Sequence, residues 1–364
     1  MSGSAAAAPR GGVRTPAQVY RRFGEVDAAR TSPLYAHLAV ALSASTEAMR
    51  AIGAAPARRR HPALVLAALH DLALAGRAPA LAAAYAAADR DRATDAAIET
   101  LLARTDEVVA VAGRRRLLPD ETGRHAVLHP LVAEAAHRVG ATAVGLIDVG
   151  CSAGFSLTLD RVALTYDDGP PLGDPSSPVR QAASVVGDRP VPGRAVPEVV
   201  ARIGVDLDPV DVTDPDDARW LRACLPPDRP ERAARLDAEI ALTASAPPVL
   251  LQGDALDVLP DAVARVPAHA LPVVSTTWTL AQFPIEGRLR FLHRLDEVAA
   301  GRPVAWVSAE GVGVAPAIPT FGDRRASGHS ILGLAVLGHS RMQAEAVGRC
   351  WSRGRLLAWT AGSG

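Results

Sequence analysis

Apolar residues between positions 17 and 117 recur every three or four residues, the spacing that places them on one face of an α-helix. The pattern runs through VYRRFGEVDAA, PLYAHLAVALSAS, HPALVLAALHDLALAG and DAAIETLLARTDEVVAVA. No clear strand pattern interrupts it, so residues 17–117 are predicted to form an all-helical N-terminal region. We expect this region to cover the functional site of the rest of the chain and to supply a substrate pocket. Residues 1–16 are mostly Ala, Gly, Ser and Pro, and this composition predicts a disordered tail.

A different pattern begins at residue 118, where short apolar runs alternate with helical stretches. Strands that alternate with helices indicate a parallel sheet with helices packed on it. We therefore expect an α/β fold with a doubly wound, mainly parallel sheet and with the strand at 144–149 near its centre. The predicted parallel strands are 144–149, 202–206, 248–252, 271–276 and 303–308.

Three other stretches complete the predicted domain. Residues 166–196 are crowded with Pro and Gly and are predicted to be an insertion that loops out, with room for a hairpin. The stretch FSLTLDRVAL, which follows the first strand, is predicted to be a helix. The apolar runs at 331–337 and 355–359 are close enough in the chain to predict an antiparallel pair.

The composition restricts the possible classes of function. All 39 basic residues are Arg, so Schiff-base and P-loop chemistry, which need Lys, are excluded. The formal net charge is zero, which argues against a nucleic-acid partner and favours a small-molecule substrate. The three cysteines are far apart, the N-terminus has no signal pattern, and no apolar run approaches the roughly 20 residues of a membrane span. A cytoplasmic protein without a membrane segment is expected.

The stretch IDVGCSAGFS, residues 147–156, satisfies two chemical patterns. Read as Gly150-x-Ser152-x-Gly154, it is the nucleophile elbow of an α/β-hydrolase, in which Ser152 attacks an ester or amide. Read from Asp148 onward, it is a glycine-rich turn between a strand and a helix that binds a nucleotide-like cofactor. An elbow follows several strands and an oxyanion loop, whereas this turn follows the first predicted strand. Its position therefore favours the cofactor interpretation.

Acidic residues also follow the second and third predicted strands. Asp206 ends the run IGVD, and Asp254 follows the run LLQG. In nucleotide-binding sheets, a carboxylate at the tip of the second strand accepts hydrogen bonds from the ribose hydroxyls. Both aspartates are equally suited to capping a turn or helix that follows, so the sequence leaves the binding and capping roles open.

These residues resemble the motifs of the Rossmann-like (class I) S-adenosylmethionine-dependent methyltransferases, and the resemblance covers about residues 120–364. Asp148–Gly154 is similar to the first motif of that family, Gly204–Asp206 to the second, and Gly253–Ala255 to the third. The whole chain also resembles an uncharacterised bacterial family through ETGR, VDLDPVDVTDPDDARWL and GDAL, a likeness that implies no activity.

The methyltransferase resemblance implies a fold, a cofactor and a set of contacts. Residues 118–364 would form a Rossmann-like domain that binds S-adenosylmethionine. The turn from Gly150 through Ser152 to Gly154 would line the methionine part, Asp206 would bind the ribose, and Asp254, beside Ala255, would bind the adenine amine. The chain departs from the family in four features. Ser152 replaces a glycine, and Asp206 lies 56 residues after Gly150 instead of about 20. The fourth strand, VVSTTW, ends without the acidic or N-P-P-Y residues of many methyltransferases, and the link between SAEG and ILGLAVL shows no helical period.

Further candidate residues lie near the predicted strand tips. Trp278 is placed either to stack on a ligand or to pack in the core, and Arg124 either to meet the methionine carboxylate or to face solvent. No motif identifies a catalytic base, and the candidates are Glu310, His329 and His339. His125 and His129 lie one helical turn apart, but no third ligand accompanies them, so no metal site is predicted.

The sequence thus predicts methyl transfer from S-adenosylmethionine to a small-molecule acceptor. Two alternatives stay open. One is a serine hydrolase that uses Ser152 with His329 or His339, and the other is a protein that binds S-adenosylmethionine or a nucleotide without catalysis. The sequence identifies neither the acceptor nor the oligomeric state.

Overall fold

The structure, a computed structural model, describes residues 14–118, 122–338 and 342–361. Of the predicted N-terminal tail, only residues 14–16 are described, and Pro16 begins the first helix with Thr15 as its N-cap. The helices are α1 Pro16–Arg22, α2 Pro33–Ala44, α3 Thr46–Gly53, α4 Pro62–Leu74, α5 Pro79–Ala86, α6 Arg90–Ala103, α7 Thr105–Arg114, α8 His125–Val139, α9 Pro215–Ala223, α10 Pro230–Ala244, α11 Ala255–Ala264 and α12 Ile285–Val298. The strands are β1 Ala143–Val149, β2 Ala163–Tyr166, β3 Leu172–Gly173, β4 Arg180–Val185, β5 Glu198–Asp206, β6 Val249–Gln252, β7 Leu271–Thr277, β8 Val304–Gly311, β9 Ser330–Leu337, β10 Gln343–Trp351 and β11 Leu356–Trp359.

The described chain divides into two compact units. The first contains the described part of residues 1–120 together with Arg219–Ala234. The second contains the described parts of residues 121–218 and 235–364. Both boundaries of the Arg219–Ala234 segment fall inside helices, α9 and α10, rather than in loops.

All regular secondary structure among the described residues of the first unit is helical. Helix α1 begins with a capping box, in which Thr15 and Gln18 exchange hydrogen bonds between side chain and backbone. Asp71, in the buried helix α4, accepts a hydrogen bond from Arg219 Nε at 2.9 Å. Trp220 Nε1 donates to the carbonyl oxygen of Arg116 at 2.8 Å. These bonds connect the 219–234 segment to the N-terminal helices within this unit.

No single helix of the described residues has both the length and the hydropathy needed to cross a membrane. Helices α4 and α5 meet that criterion only when they are taken together, and they are bent by 99° relative to each other.

The second unit is built on a mixed sheet of eleven strands among its described residues. Their spatial order is β3, β2, β4, β11, β10, β9, β8, β7, β1, β5 and β6. The neighbours from β6 through β5, β1 and β7 to β8 are all parallel, which confirms an α/β fold with a large, mostly parallel sheet. Counted along the chain, these five strands have the order 3-2-1-4-5, so the order reverses between β1 and β7. The carboxyl edge at such a reversal is where open α/β sheets bind their ligands.

Strand β1 lies in the middle of this parallel part, between two apolar cores. Val144 and Leu146 pack with residues of α8 in one core. Ile147 and Val149 pack with residues of α11 and α12 in the other. All seven residues of β1 are buried, as expected for a parallel strand covered by helices on both faces. The residues that follow β1 are therefore held at the centre of the sheet edge.

The predicted antiparallel pairing of 331–337 with 355–359 is wrong. Strand β10 lies between β9 and β11 and is antiparallel to both. The sequence pattern missed β10 because Gly348 and Arg349 interrupt its apolar residues. Gly348 is required there, since a Cβ atom at this position would collide with the carbonyl oxygen of Ala358 in β11.

Two predictions between β1 and β5 are also wrong. The stretch FSLTLDRVAL is not a helix, since only Phe155–Thr158 form a single 3₁₀ turn and the chain then enters β2. The segment 166–196 does not simply loop out of the sheet. Its strand β4 lies parallel to β2 on one side and to β11 on the other, so it extends the sheet.

Candidate functional site

The turn that follows β1 is fixed by hydrogen bonds to the neighbouring strand β5. Gly150 N and Cys151 N both donate to the carbonyl oxygen of Val205, at 2.8 and 3.3 Å. The backbone has positive φ at Gly150 (76°), Ser152 (49°) and Gly154 (74°). Ser152 tolerates the left-handed region less well than glycine does. The hydrogen bonds to β5 therefore have to hold Ser152 in this conformation.

Asp206 connects this turn to the tip of β5. Its Oδ2 accepts a hydrogen bond from Ser152 N at 2.9 Å, and its Oδ1 accepts one from Asp208 N at 3.0 Å. The carbonyl oxygen of Asp206 accepts from Gly253 N, after β6, at 2.9 Å. The structure thus brings together the residues singled out on the first three parallel strands.

Asp254 has the capping role that the sequence left open. Its side chain accepts a hydrogen bond from Leu256 N at 2.9 Å and is the N-cap of α11. Ala255, the first residue of that helix, is buried. Capping and ligand binding are compatible in a carboxylate, which can accept about four hydrogen bonds. The predicted contact with adenine stays a prediction.

Asp148 is buried beside the point where the strand order reverses. Its Oδ1 accepts a hydrogen bond from Ser275 Oγ of β7 at 2.6 Å. Its Oδ2 is buried and has no hydrogen-bond partner among the described residues. Burial raises the pKa of this carboxyl above its usual value, although hydrogen bonds from Ser275 and Ser156 and the charge of Arg124 act in the opposite direction.

Glu310 is a second buried carboxyl group with one unused oxygen. It lies near the carboxyl end of β8 and is 1% exposed. Its Oε1 accepts hydrogen bonds from Thr279 N and Leu280 N, both at 3.0 Å, whereas its Oε2 has no partner within the described parts of the chain. Burial raises the pKa of Glu310 to about 7, against the effect of these two backbone bonds and of Arg124 and Arg288.

Thr279 lies between the turn and Glu310. Its backbone N–H binds Glu310, while its side chain occupies the space that a Cβ atom on Gly150 would need. Gly150 is thus required by close packing as well as by its backbone conformation. The glycine-rich turn and the Glu310 carboxyl are therefore separated by a single residue.

Arg124 and Trp278 lie beside the same strand tips. Arg124 is 9% exposed, so the solvent-facing alternative for this residue is wrong. Its Nη1 donates to Thr277 Oγ1 at 3.0 Å, and its Cζ lies 5.6 Å from the centre of the Trp278 ring. Trp278 is half-buried and donates from Nε1 to Ser330 Oγ at 2.8 Å. A buried guanidinium near two buried carboxyl groups partly balances their charge.

A cavity of about 590 Å³ opens at the same edge of the sheet. It lies where β7, β8 and β10 end and β9 begins. Glu310 and His329, two of the three candidate bases, line it, whereas His339 lies outside the described residues. Its wall also contains two indole rings and three guanidinium groups, those of Trp278, Trp351, Arg288, Arg325 and Arg353.

The loop between β8 and β9 is fastened by Asp323. This carboxylate accepts hydrogen bonds from Arg349 Nε at 2.6 Å and from Arg349 Nη2 at 3.1 Å, and it lies 2.8 Å from His329 Nε2. Arg349 Cζ also lies 4.3 Å from the centre of the Phe321 ring. Because His329 is held by Asp323 and lies against Trp351, its present role is to shape the wall of the cavity.

Replacing Asp323 by Asn should destabilise the protein at neutral pH but not in strong acid. The hydrogen bonds from Arg349, and secondarily His329, lower the pKa of Asp323 to about 2. Since this pKa lies below the usual value of 3.8, the contribution of the carboxylate is complete above about pH 4 and is lost as the pH falls toward about 2. Urea unfolding of the wild type and of Asp323→Asn across this pH range measures the difference in their free energy of unfolding. A difference that does not change with pH would contradict the lowered pKa of Asp323.

Ser152 and Gly154 provide a direct comparison between the two interpretations of the turn. Ser152 binds Asp206 through its backbone N–H and Val210 N through its carbonyl oxygen, and alanine keeps both bonds, so Ser152→Ala should be nearly silent. Gly154→Val should lower the free energy of unfolding by about 1–3 kcal/mol, because φ is 74° and a Cβ atom would lie 2.9 Å from Pro248 Cγ. It should also abolish the cofactor binding that the sequence predicts at this turn. Urea unfolding and ligand titration of both variants test this. An activity lost in Ser152→Ala but kept in Gly154→Val would favour the hydrolase.

His125 and His129 have different surroundings in α8. One ring nitrogen of His125 lies 2.7 Å from the carbonyl oxygen of Phe155, and the other lies 2.7 Å from Gln181 Nε2. Burial lowers the pKa of His129 to about 4. No group of three or more His, Cys, Asp or Glu side chains suited to a metal ion occurs in the part of the chain that the structure describes.

Sequence reasoning missed several residues of this region. Ser275 and Thr279, which contact Asp148 and Glu310, belong to no motif. Arg288, Arg325 and Trp351 lie on separate segments, and only the pairing of β7 through β10 brings them to one cavity. No local pattern could have identified them.

Comparison with known proteins gives one family. The family model described as "Uncharacterized protein conserved in bacteria (DUF2332)" matches residues 17–359. No curated protein matches the chain.

Proposed function

The chain belongs to this uncharacterised bacterial family, and we propose that it transfers a methyl group from S-adenosylmethionine to a small-molecule acceptor. The observation that carries the proposal is the meeting of three motifs at one sheet edge. The hydrogen bonds from Ser152 N and Gly253 N to Asp206 connect the tips of the first three parallel strands. That edge lies where the strand order reverses, the usual position of a ligand in such sheets.

The residues at this edge suit the chemical groups of S-adenosylmethionine. Asp148 Oδ2, buried and without a partner among the described residues, is suited to the ammonium group of the methionine part. The carboxylate of Asp206 suits the ribose hydroxyls, and Asp254 suits the adenine amine. The turn leads into one 3₁₀ turn instead of a long helix. A dinucleotide needs a helix N-terminus for its pyrophosphate, but S-adenosylmethionine has no phosphate, which favours it over NAD.

Bound S-adenosylmethionine would supply a methyl group activated by a sulfonium. The protein would supply a group that takes the acceptor's proton and an acceptor site in the 590 Å³ cavity. Residues of the second unit line this cavity, so the proposed acceptor site differs from the pocket of N-terminal helices expected from the sequence. Glu310 suits this role, because a general base is most effective when its pKa is close to the working pH, and burial brings the pKa of Glu310 to about 7. Its position one residue from the turn, across Thr279, supports this role, because a base there would be close to the proposed cofactor.

A thermal-shift comparison tests the cofactor. S-adenosylmethionine and S-adenosylhomocysteine should raise the melting temperature, because a ligand that binds only the folded state stabilises it, whereas NAD and NADP should not. A shift with NAD alone would contradict the proposal. Transfer of a labelled methyl group to added acceptors then separates an enzyme from a protein that only binds the cofactor, and labelling of Ser152 by a fluorophosphonate would indicate the hydrolase.

A further inference from the structure

We propose that the cavity beside Glu310 selects a small aromatic acid, a planar ring bearing a carboxylate or phosphate. The identification of this molecule as the methyl acceptor rests on the proposed function, but its binding does not.

The charged residues of the cavity wall indicate that its ligand is an anion. Arg288, Arg325 and Arg353 line the cavity, and Glu310 is the one carboxyl group among its described lining residues. Arg288 donates to the carbonyl oxygens of Phe283 and Ala281, at 3.1 and 3.3 Å, and Arg325 to that of Gly313 at 3.4 Å.

These carbonyl partners of Arg288 and Arg325 are neutral. Glu310, whose pKa is lowered by the charge of Arg288, compensates only part of the positive charge of the three arginines. A guanidinium in a concave site binds carboxylate and phosphate more strongly than neutral groups, often through two parallel hydrogen bonds. Asp323 does not change this balance, since Arg349 and His329 already pair with it. The cavity therefore favours an anion.

Two indole rings in the cavity wall indicate that its ligand has a planar ring. Trp278 and Trp351 both line the cavity and both are half-buried. Trp278 is oriented by its hydrogen bond to Ser330, and the Trp351 ring centre lies 5.4 Å from that of His329. Indole faces attract other planar rings by stacking, beyond the effect of buried area alone. A volume of about 590 Å³ is within the range of small-molecule sites.

Calorimetric titration without any cofactor tests the binding claim. The probes are 4-hydroxybenzoate, its neutral isostere 4-hydroxybenzamide, phenyl phosphate and cyclohexanecarboxylate. The benzoate should bind at least about tenfold more tightly than the benzamide, as a charged hydrogen bond predicts. It should also bind more tightly than the non-aromatic acid, and phenyl phosphate shows which oxyanion is preferred.

Variants assign the effect to the arginines. Arg288→Gln and Arg325→Gln should each reduce the preference for benzoate over benzamide about tenfold and leave the affinity for benzamide unchanged. Arg290→Gln, an exposed position on the same helix α12, is the matched control. Circular dichroism establishes that each variant is folded, and Arg325, outside any helix longer than one turn, provides a second variant should Arg288→Gln unfold.

Equal affinity for benzoate and benzamide would overturn the proposal, as would equal losses in Arg290→Gln and Arg288→Gln. Selective binding of the acid without any thermal shift from S-adenosylmethionine would leave this site standing and reject the proposed methyl transfer instead.

Discussion

Replacing Glu310 by Gln should reduce methyl transfer by roughly 10²- to 10⁴-fold, the usual contribution of a general base, and leave cofactor binding intact. Glutamine keeps an oxygen for the backbone N–H groups of Thr279 and Leu280 but cannot take a proton from an acceptor. The pH profile is a second readout. The base acts when ionised, so the wild-type rate should rise as the pH passes about 7, the pKa of Glu310, and the residual rate of the variant should not.

Glu310→Gln should also change how the stability of the protein depends on pH, and this effect can be measured without any enzymatic activity. The pKa of Glu310 in the folded protein, about 7, lies above its usual value of 4.5. Between these two pH values the folded state holds more protons than the unfolded state, so the wild type loses stability as the pH rises. The loss is on the order of 3 kcal/mol and should be absent from Glu310→Gln.

Glu286→Gln is the matched control for Glu310→Gln, because Glu286 is exposed in the first turn of α12. It should change neither the rate nor the pH dependence of stability. A Glu310 variant with the wild-type rate and the wild-type pH profile would remove this residue from the mechanism and leave His329 and His339 as the candidate bases.

Replacing Asp206 by Ala should weaken S-adenosylmethionine binding by roughly ten- to a hundredfold, since hydrogen bonds to a charged group contribute about 1.5–3 kcal/mol. The variant should also be less stable by about 1–3 kcal/mol, because Ser152 N and Asp208 N lose their acceptor. Calorimetric titration measures the first effect and urea unfolding the second.

Asparagine at position 206 should be almost as harmful as alanine. Each carboxylate oxygen of Asp206 accepts one backbone N–H, so the amide nitrogen of Asn would have to face one of these donors. This effect can be predicted only from the structure, which shows that both carboxylate oxygens of Asp206 accept hydrogen bonds. Asp208→Ala, at an exposed neighbouring position, is the control, and equal losses of affinity at 206 and 208 would contradict the proposed ribose contact.

The sequence predicts those strands whose own residues show a clear pattern of apolar positions. Strands β1 and β7 begin with apolar runs and are buried along their whole length, so their sequence carries a clear signal. Strand β2 carries none, because Phe155, Leu159 and Val162 before it have helical spacing. It forms because β4 and β3 pair with it, and such pairing across the chain leaves no trace in periodicity.

Some residues of the candidate site could be predicted from the sequence, and others could be identified only from the structure. The turn at Gly150 and the aspartates at 206 and 254 have recognisable residue types at strand ends, so sequence could propose them. The significance of Glu310 depends on burial and on the donors at Thr279 and Leu280, which are set by the packing of β7 against β8. Sequence could name Glu310 as a candidate but could not distinguish it from His329.

The join between β4 and β11 has a consequence for how the sheet comes apart. It contains two registered residue pairs, Leu356 with Ser184 and Leu357 with Val185, and it is the strand pairing that connects the β2–β4 extension to the rest of the described sheet. The pairs β1–β5 and β1–β7, by contrast, are long and buried. Local opening follows the weakest cooperative boundary in a fold. In native-state hydrogen exchange, the amides of β2 and β4 should therefore open together at a lower free energy than those of β1, so the extension behaves as a separate foldon of a continuous sheet.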